Sequence, residues 1–202
     1  MIVVEKYFEE MEQELMTNEQ PSLYLATLPK LPWFREAPFA MLYALTKTEQ
    51  SPIHHPEGSA WNHTLLVVDQ AAKVKEESTN SRAFMWAALL HDIGKPTTTR
   101  NRKGKITSYD HDRVGAQLAR EFLNVFSLEE PLIEYICSLV RWHMMILYVT
   151  KDLSFGDKTA MKKEVNLQDI SLLGFCDRMG RTNADAQKEK ETIRLFEEKV
   201  KL

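Results

Sequence analysis

Residues 81–96 read SRAFMWAALLHDIGKP. Apolar side chains fill every position from Ala83 to Leu90, and two ionisable groups, His91 and Asp92, follow at once. The pattern predicts a central helix over about Ser81–Ile93. Gly94 and Pro96 end it, because glycine is favoured just past a helix end and proline cannot continue one. His91 extends the face formed by Phe84, Ala87 and Ala88, so an imidazole points where core residues point.

The same anomaly recurs on both sides of this segment. From Ala60 to about Glu77 a helix is predicted that is apolar on most sides and so runs through the core. His63 lies on its face with Leu66, Val67, Gln70 and Val74. A helix from about His111 to Phe126 starts the face of Val114, Leu118 and Phe122 with His111. In a helix over Glu130–Leu147, His143 completes Ile133, Ile136 and Val140, and in one over Leu167–Met179, Asp177 completes Ile170 and Leu173. Five predicted helices therefore aim imidazole or carboxylate at the interior.

The remainder is also helical in pattern. Val4, Phe8, Met11 and Leu15 share one face of an opening helix, and Pro21, Pro32 and Pro38 then break the chain into short pieces. The run TTTRNRKGKITS, residues 97–108, has threonines on both sides of Lys103-Gly104 and predicts a small hairpin or mobile loop. The stretch after Leu147 is polar and predicts a loop with a short helix. The tail from Asn183 to Leu202 predicts a surface helix, with Ile193, Phe196 and Val200 on one face. No internal repeat, low-complexity tract or domain boundary is visible. The expectation is one all-α domain over residues 1–202, with its core at about residues 54–181.

Composition narrows the function classes. A chain of 202 residues with 44% hydrophobic and 27% charged residues is long enough for a real core and is not disordered in character. A net charge of −3 advertises neither nucleic acid nor membrane. Cys137 and Cys176 sit in apolar runs at no metal-type spacing, as expected of buried thiols in a reducing cytoplasm. The N-terminus turns acidic after four residues, unlike a signal peptide, and no stretch is expected to reach the roughly 18 apolar residues of a membrane span. The expected location is cytoplasmic. The oligomeric state is not legible.

A single histidine on an apolar face is more often a hydrogen-bonded core residue than a ligand. An unpaired buried carboxylate is harder to accommodate, because its desolvation costs several kcal/mol. A divalent cation would compensate such a group by neutralising carboxylates and accepting imidazole nitrogens. His91 and Asp92 diverge by about 100° on a helix, so both can meet one ion only near its edge, at a helix end. Periodicity alone leaves the core and metal readings open.

The ordered set His63, then His91-Asp92, then Asp177 resembles the HD superfamily of metal-dependent phosphohydrolases. The chain is most similar to the HD domain of bacterial CCA-adding tRNA nucleotidyltransferases. The matching stretches are HHPEGSAWNHTLLVVDQA, LLHDIGKPTTTR, YDHDRVGAQLA, RWHM and DRMGR, in that order over about residues 54–181. The resemblance implies an all-α HD bundle in which His63, His91, Asp92 and Asp177 hold a primary metal. It implies His111 and His143 as ligands of a second ion bridged by Asp92, and Lys95 beside the substrate phosphate. These 202 residues lack the strand-rich, paired-carboxylate segment that nucleotidyl transfer needs, so a free-standing hydrolase is implied rather than nucleotide addition.

The expected reaction is hydrolysis of a phosphate ester by metal-activated water, with Asp92 and Lys95 as catalytic residues. One or two ions of Mn, Fe, Ni, Co or Mg suit mixed histidine and carboxylate ligation. Lys95, Arg100, Arg102 and Arg181 are the candidate substrate-binding cations. Arg100, Arg102, Lys103 and Lys105 form a basic run that reads equally as a solvated hairpin tip. Arg141 either clamps substrate or pairs with an acid. His54 and His55 are expected near the pocket mouth, and Trp61, Trp86 and Trp142 in the core. The expected partner is a phosphorylated small molecule or nucleotide, or a nucleic-acid end, and not a membrane. Two other classes stay open: a metal-retaining RNA- or nucleotide-binding module without turnover, and a di-iron oxygenase of HD type.

Overall fold

The computed structural model describes residues 2–202. The chain opens with α1 (Ile2–Thr17), α2 (Ser22–Leu25), two 3-10 turns at Leu28–Lys30 and Pro32–Arg35, and α3 (Ala40–Leu45). Then come α4 (Ala60–Val74), α5 (Ser81–Leu90) and the short α6 (Lys95–Thr98). A hairpin follows, β1 (Thr99–Arg102) with β2 (Lys105–Ser108), antiparallel in a register that opposes Thr99 to Ser108. The rest is α7 (His111–Leu123), α8 (Glu130–Trp142), α9 (Met145–Thr150), α10 (Lys158–Glu164), α11 (Leu167–Met179) and α12 (Ala186–Lys201). The protein is all-α apart from this hairpin, as the sequence predicts.

The central helix is α5. Every residue from Ala83 to Leu90 is buried, which requires neighbours on all sides. It packs between α4 and α8, α11 closes against α4, and α7 lies along α8. The outer face is covered by α1, where Phe8 stacks on Trp86 with ring centroids 4.4 Å apart. Glu12 of α1 accepts hydrogen bonds from the Trp86 indole and from Arg82, so the only polar atom of that buried indole is satisfied. Side-chain caps fix where several helices begin. Ser59 accepts from Asn62 N, Asn80 from Ala83 N, and Asn166 from Gln168 N. Each satisfies a backbone donor that the first helical turn leaves free.

Two predicted helices and one expectation from composition need correction. The helix through the His-Asp doublet stops at Leu90 rather than Ile93, so His91 and Asp92 sit in the turn that follows. The helix predicted over Glu130–Leu147 is two helices, α8 and α9, separated at His143–Met144. Contrary to the expectation from composition, the 21-residue stretch Glu130–Thr150 is long and apolar enough to cross a membrane. In the fold it is broken at His143, carries that histidine inward, and is a little over half buried, with α8 against α5 and α7 and α9 against α12.

Gly94 explains why the chain turns where it does. A Cβ there would lie 2.2 Å from the His111 carbonyl oxygen and 2.6 Å from the Gly115 nitrogen. The turn after α5 and the start of α7 thus meet backbone to backbone, with no room for a side chain. We predict that Gly94→Ala destabilises the fold by about 2–3 kcal/mol, the usual range for overpacking. That corresponds to a fall in Tm of about 4–12 °C for a chain of this size, measurable by thermal unfolding. An unchanged Tm would show that α7 can withdraw without loss of packing.

Candidate metal centre

Four histidines and two aspartates from five helices or helix ends meet in one buried cluster. His63, His91, Asp92, His111 and His143 are each at most 6% exposed, and the Asp177 carboxylate is 16% exposed. Two triads share Asp92: His63, His91 and Asp92 form one, and Asp92, His111 and His143 the other. Asp92 Oδ2 lies 3.3 Å from His91 Nε2, and its Oδ1 lies 3.6 Å from His111 Nε2 and 4.0 Å from His143 Nε2.

The outer ring nitrogens decide the tautomers. Nδ1 of His91 is 2.9 Å from the Ala88 carbonyl, Nδ1 of His111 is 2.6 Å from that of Ser108, and Nδ1 of His143 is 2.7 Å from that of Val140. A carbonyl only accepts, so all three Nδ1 atoms carry hydrogen. In neutral rings the Nε2 lone pairs then face inward. Burial, with the His111 and His91 rings beside it, holds His143 down to about 4. Burial also lowers His111, although Asp92 opposes it. Both rings are therefore neutral near pH 7. Yet their Nε2 atoms are only 3.2 Å apart, and His91 Nε2 is buried with no hydrogen-bond partner. Two lone pairs cannot hydrogen-bond each other.

That defect is the test of whether a metal fits. Two donors held about 2.0–2.2 Å from one ion, at right or tetrahedral angles, stand about 3–3.6 Å apart. The His111–His143, His91–Asp92 and His111–Asp92 separations of 3.2, 3.3 and 3.6 Å match this spacing, and the 4.0 Å from His143 to Asp92 is somewhat longer. The donor set is imidazole and carboxylate, without thiolate, as suits Mn, Fe, Ni, Co or Mg rather than a structural zinc site. The residues present could hold a divalent cation, and sharing of Asp92 between triads leaves room for two.

His63 differs from the other histidines in being held by carboxylates on both sides. Its Nδ1 faces Glu57 Oε1 and its Nε2 faces Asp177 Oδ1, each at 2.9 Å. Burial opposes a charge on this ring, but the Asp177 and Glu57 carboxylates outweigh it and raise its pKa. Burial likewise opposes ionisation of Asp177, and the His63 bond overcomes it, so Asp177 stays well below the usual carboxylate range. Asp92 is also held well below that range, where His91 and Lys95 outweigh its burial. A proton and a metal compete for the same Nε2 position of His63.

Other candidates resolve unevenly. Lys95 Nζ lies 2.7 Å from Asp92 Oδ2 and donates to Gln50 Oε1 at 2.5 Å, inside the cluster. Arg181 is close enough to depress Asp177, and its Nε is buried without a partner. Arg100 and Arg102 are not brought into the cluster. Both are exposed on the hairpin, and Arg100 donates back to the Thr97 and Thr99 carbonyls of its own loop. The hairpin base is nevertheless tied to the centre, since Thr99 Oγ1 donates to the Lys95 carbonyl and Ser108 O receives His111. Arg141 pairs with buried Asp112 at 2.8 Å and covers the Trp142 ring, so the acid-pairing alternative holds. Trp61, Trp86 and Trp142 are core residues as predicted. His54 is exposed, while the His55 ring packs 4.7 Å from His63.

Sequence reasoning missed Glu57 and Gln50. Glu57 holds both His55 and His63 through one oxygen, at 2.9 Å each. Those bonds outweigh its burial and lower it to about 2. Both residues lie between helices, where no periodicity reports burial. The one available signal was an acid six positions before the inward-facing His63.

Residues 60–172 match the HD domain family. The chain belongs to it. Asp177, the last residue of the cluster, lies just beyond the matched stretch. The chain is also 29% identical over 181 residues to the multifunctional CCA protein of Actinobacillus pleuropneumoniae serotype 5b, covering 87% of this chain and 41% of that protein. It is 36% identical over 101 residues to the multifunctional CCA protein of Halorhodospira halophila, covering 50% and 23% respectively. It is 29% identical over 162 residues to the CC-adding tRNA nucleotidyltransferase of Thermus thermophilus, covering 79% and 36%. The chain therefore spans less than half the length of each of these relatives.

Glu57 holds the outer ring nitrogen of His63, and where such a histidine binds a metal, the carboxylate behind it typically contributes 10–100-fold to affinity. We predict that Glu57→Ala raises the Mn²⁺ concentration needed to increase Tm by about that factor, with the helical circular dichroism spectrum retained. Equal metal-induced shifts in variant and parent would show that Glu57 serves only His55.

Proposed function

We propose that this HD domain hydrolyses a phosphate ester, with a nucleotide, a 2′,3′-cyclic phosphate or a nucleic-acid end as substrate. The observation that carries the proposal is the buried group of inward-facing Nε2 atoms around Asp92, with the Lys95 ammonium 2.7 Å from that carboxylate. A divalent ion bound there supplies a water of lowered pKa and a Lewis acid for a phosphoryl oxygen. His63, His91, Asp92 and Asp177 are its proposed ligands, and His111 and His143 join Asp92 for a second ion.

The chain's own groups account for the rest. Glu57 and the three backbone carbonyls lock ring orientation, so the ligand set is preorganised. Lys95 is held by Asp92 and Gln50 at the edge of the cluster, where its charge can meet phosphoryl oxygens as negative charge builds. Arg181, with an unpartnered Nε beside Asp177, is proposed as a second phosphate contact. The exposed cations Arg100 and Arg102 act only at longer range, attracting a polyanion to the rim. The relatives' names, among them a CC-adding tRNA nucleotidyltransferase, favour a nucleotide or RNA end over a small metabolite. The unit proposed to carry this activity is one HD-type domain over residues 1–202.

Asp92→Ala removes the ligand shared by both triads and no apolar packing. It is expected to abolish phosphate-ester hydrolysis and lower bound metal while preserving helicity. Lys95→Met is expected to lower kcat by about 10²–10³-fold with metal content unchanged, as for loss of one transition-state donor. The measurement is metal analysis followed by turnover of nucleotides and cyclic nucleotides with each metal. Undiminished turnover in Asp92→Ala would sink the proposal. Stoichiometry distinguishes one ion from two: His111→Ala and His143→Ala should each halve the metal content of a binuclear site.

A further inference from the structure

Gln50 is a buried amide with a determined orientation. Its Oε1 receives the Lys95 ammonium at 2.5 Å. An ammonium only donates, so the oxygen must face Lys95 and the –NH₂ must face away. That Nε2 is buried and has no hydrogen-bond partner, although the residue as a whole is only 8% exposed. A buried donor left without an acceptor is costly. Gln50 also lines a cleft of about 530 Å³ between the loop after α3, the start of α4 and the hairpin. The cleft reaches the metal centre through only two contacts, Gln50 to Lys95 and Lys95 to Asp92.

The lining indicates what the cleft would accept. Lys47 and Glu49 at its edge carry opposite charges, so it is not a second phosphate site. Pro52 and Ile106 offer apolar walls for a flat or puckered ring. The volume lies within the usual range for small-molecule sites, about 300–1,000 Å³. The hydroxyls of Thr46 and Thr48 are already committed to the Tyr43 and Ala44 carbonyls, which leaves the Gln50 amide as a free buried donor.

We propose that this cleft is the subsite for the nucleoside part of the substrate, and that Gln50 Nε2 donates to a sugar or base oxygen while its Oε1 holds Lys95 at the phosphate. The proposal rests on the phosphate-ester reading of the metal centre. Gln50 thereby couples recognition of the nucleoside to placement of the charge beside the reacting phosphorus.

The test compares binding of AMP and of inorganic phosphate by titration calorimetry, on the whole chain with and without Mn²⁺. The expected result is that AMP binds at least about tenfold more tightly than phosphate, the worth of one good buried hydrogen bond or more. Gln50→Glu keeps an oxygen for Lys95 and removes the donor, so it should reduce that preference about tenfold. Ile106→Ala removes an apolar wall of the cleft and none of the polar groups around Asp92, and should reduce it several-fold. A parent protein that binds both ligands equally would overturn the proposal. So would variants that weaken AMP and phosphate in proportion, since Gln50 would then act through Lys95 alone. If the preference is present and responds to both substitutions but no nucleotide is turned over, the subsite stands and the hydrolase reading fails.

Discussion

The fold is organised around an interior that cannot satisfy itself. The Nε2 atoms of His91, His111 and His143 converge on Asp92, and hydrogen bonds among the described residues do not complete the arrangement. Burial makes the mismatch severe, since the same low-dielectric surroundings that keep His143 neutral also raise the cost of an unpaired donor or acceptor. The surrounding helices must supply enough apolar packing to tolerate it. That explains why the helix preceding the doublet is buried on all sides rather than on one stripe. α5 is a packed rod whose end delivers His91 and Asp92 into the cluster, with α4, α7, α8 and α11 bringing the other groups to the same place.

The backbone geometry at Gly94 is part of the same constraint. Were α5 to continue, His91 and Asp92 would diverge by about 100° around its axis and could not both face inward. Ending the helix at Leu90 releases them into a turn, and the close approach of Gly94 to the start of α7 brings His111 alongside. Packing of one backbone on another thus sets the 3.6 Å separation between Asp92 and His111. The hairpin, pinned at Thr99 to Lys95 and at Ser108 to His111, bridges the two ligand-bearing segments across only a few residues.

How much of this was legible follows from what periodicity can report. His63, His111, His143 and Asp177 lie in or at the ends of helices whose apolar spacing fixes a phase, and each is where that phase places it. Asp92 was harder, because adjacent residues cannot share a face, but the glycine and proline behind it signalled the helix end. The break after Trp142 was not legible, since apolar residues continue through Met144, Met145 and Ile146 without a marker. Glu57 and Gln50 were hidden for a different reason: a loop residue's burial depends on what packs over it, which local sequence does not encode. The basic run on the hairpin shows the converse. Four nearby cations looked like a site, yet Arg100 spends its donors on its own loop carbonyls. The role of Arg141 turned on Asp112, the buried acid with which it pairs.

The histidines also show how a helical scaffold can choose a tautomer without dedicated partners. His91 and His143 each stand at the C-terminal end of a helix, and each donates Nδ1–H to a carbonyl three residues earlier. The last carbonyls of a helix lack intrahelical donors, so a side chain folded back on them caps the helix. His111 makes the corresponding bond at the start of α7, to the carbonyl of Ser108 at the end of β2. One hydrogen bond therefore does three things in each case: it satisfies a carbonyl where regular structure ends, fixes the ring plane, and turns Nε2 toward Asp92. Among the four histidines only His63, inside the first turn of α4 and not beyond the end of a helix, has no such carbonyl, and there Glu57 takes over. A loop carboxylate is needed where the helix itself cannot provide the acceptor.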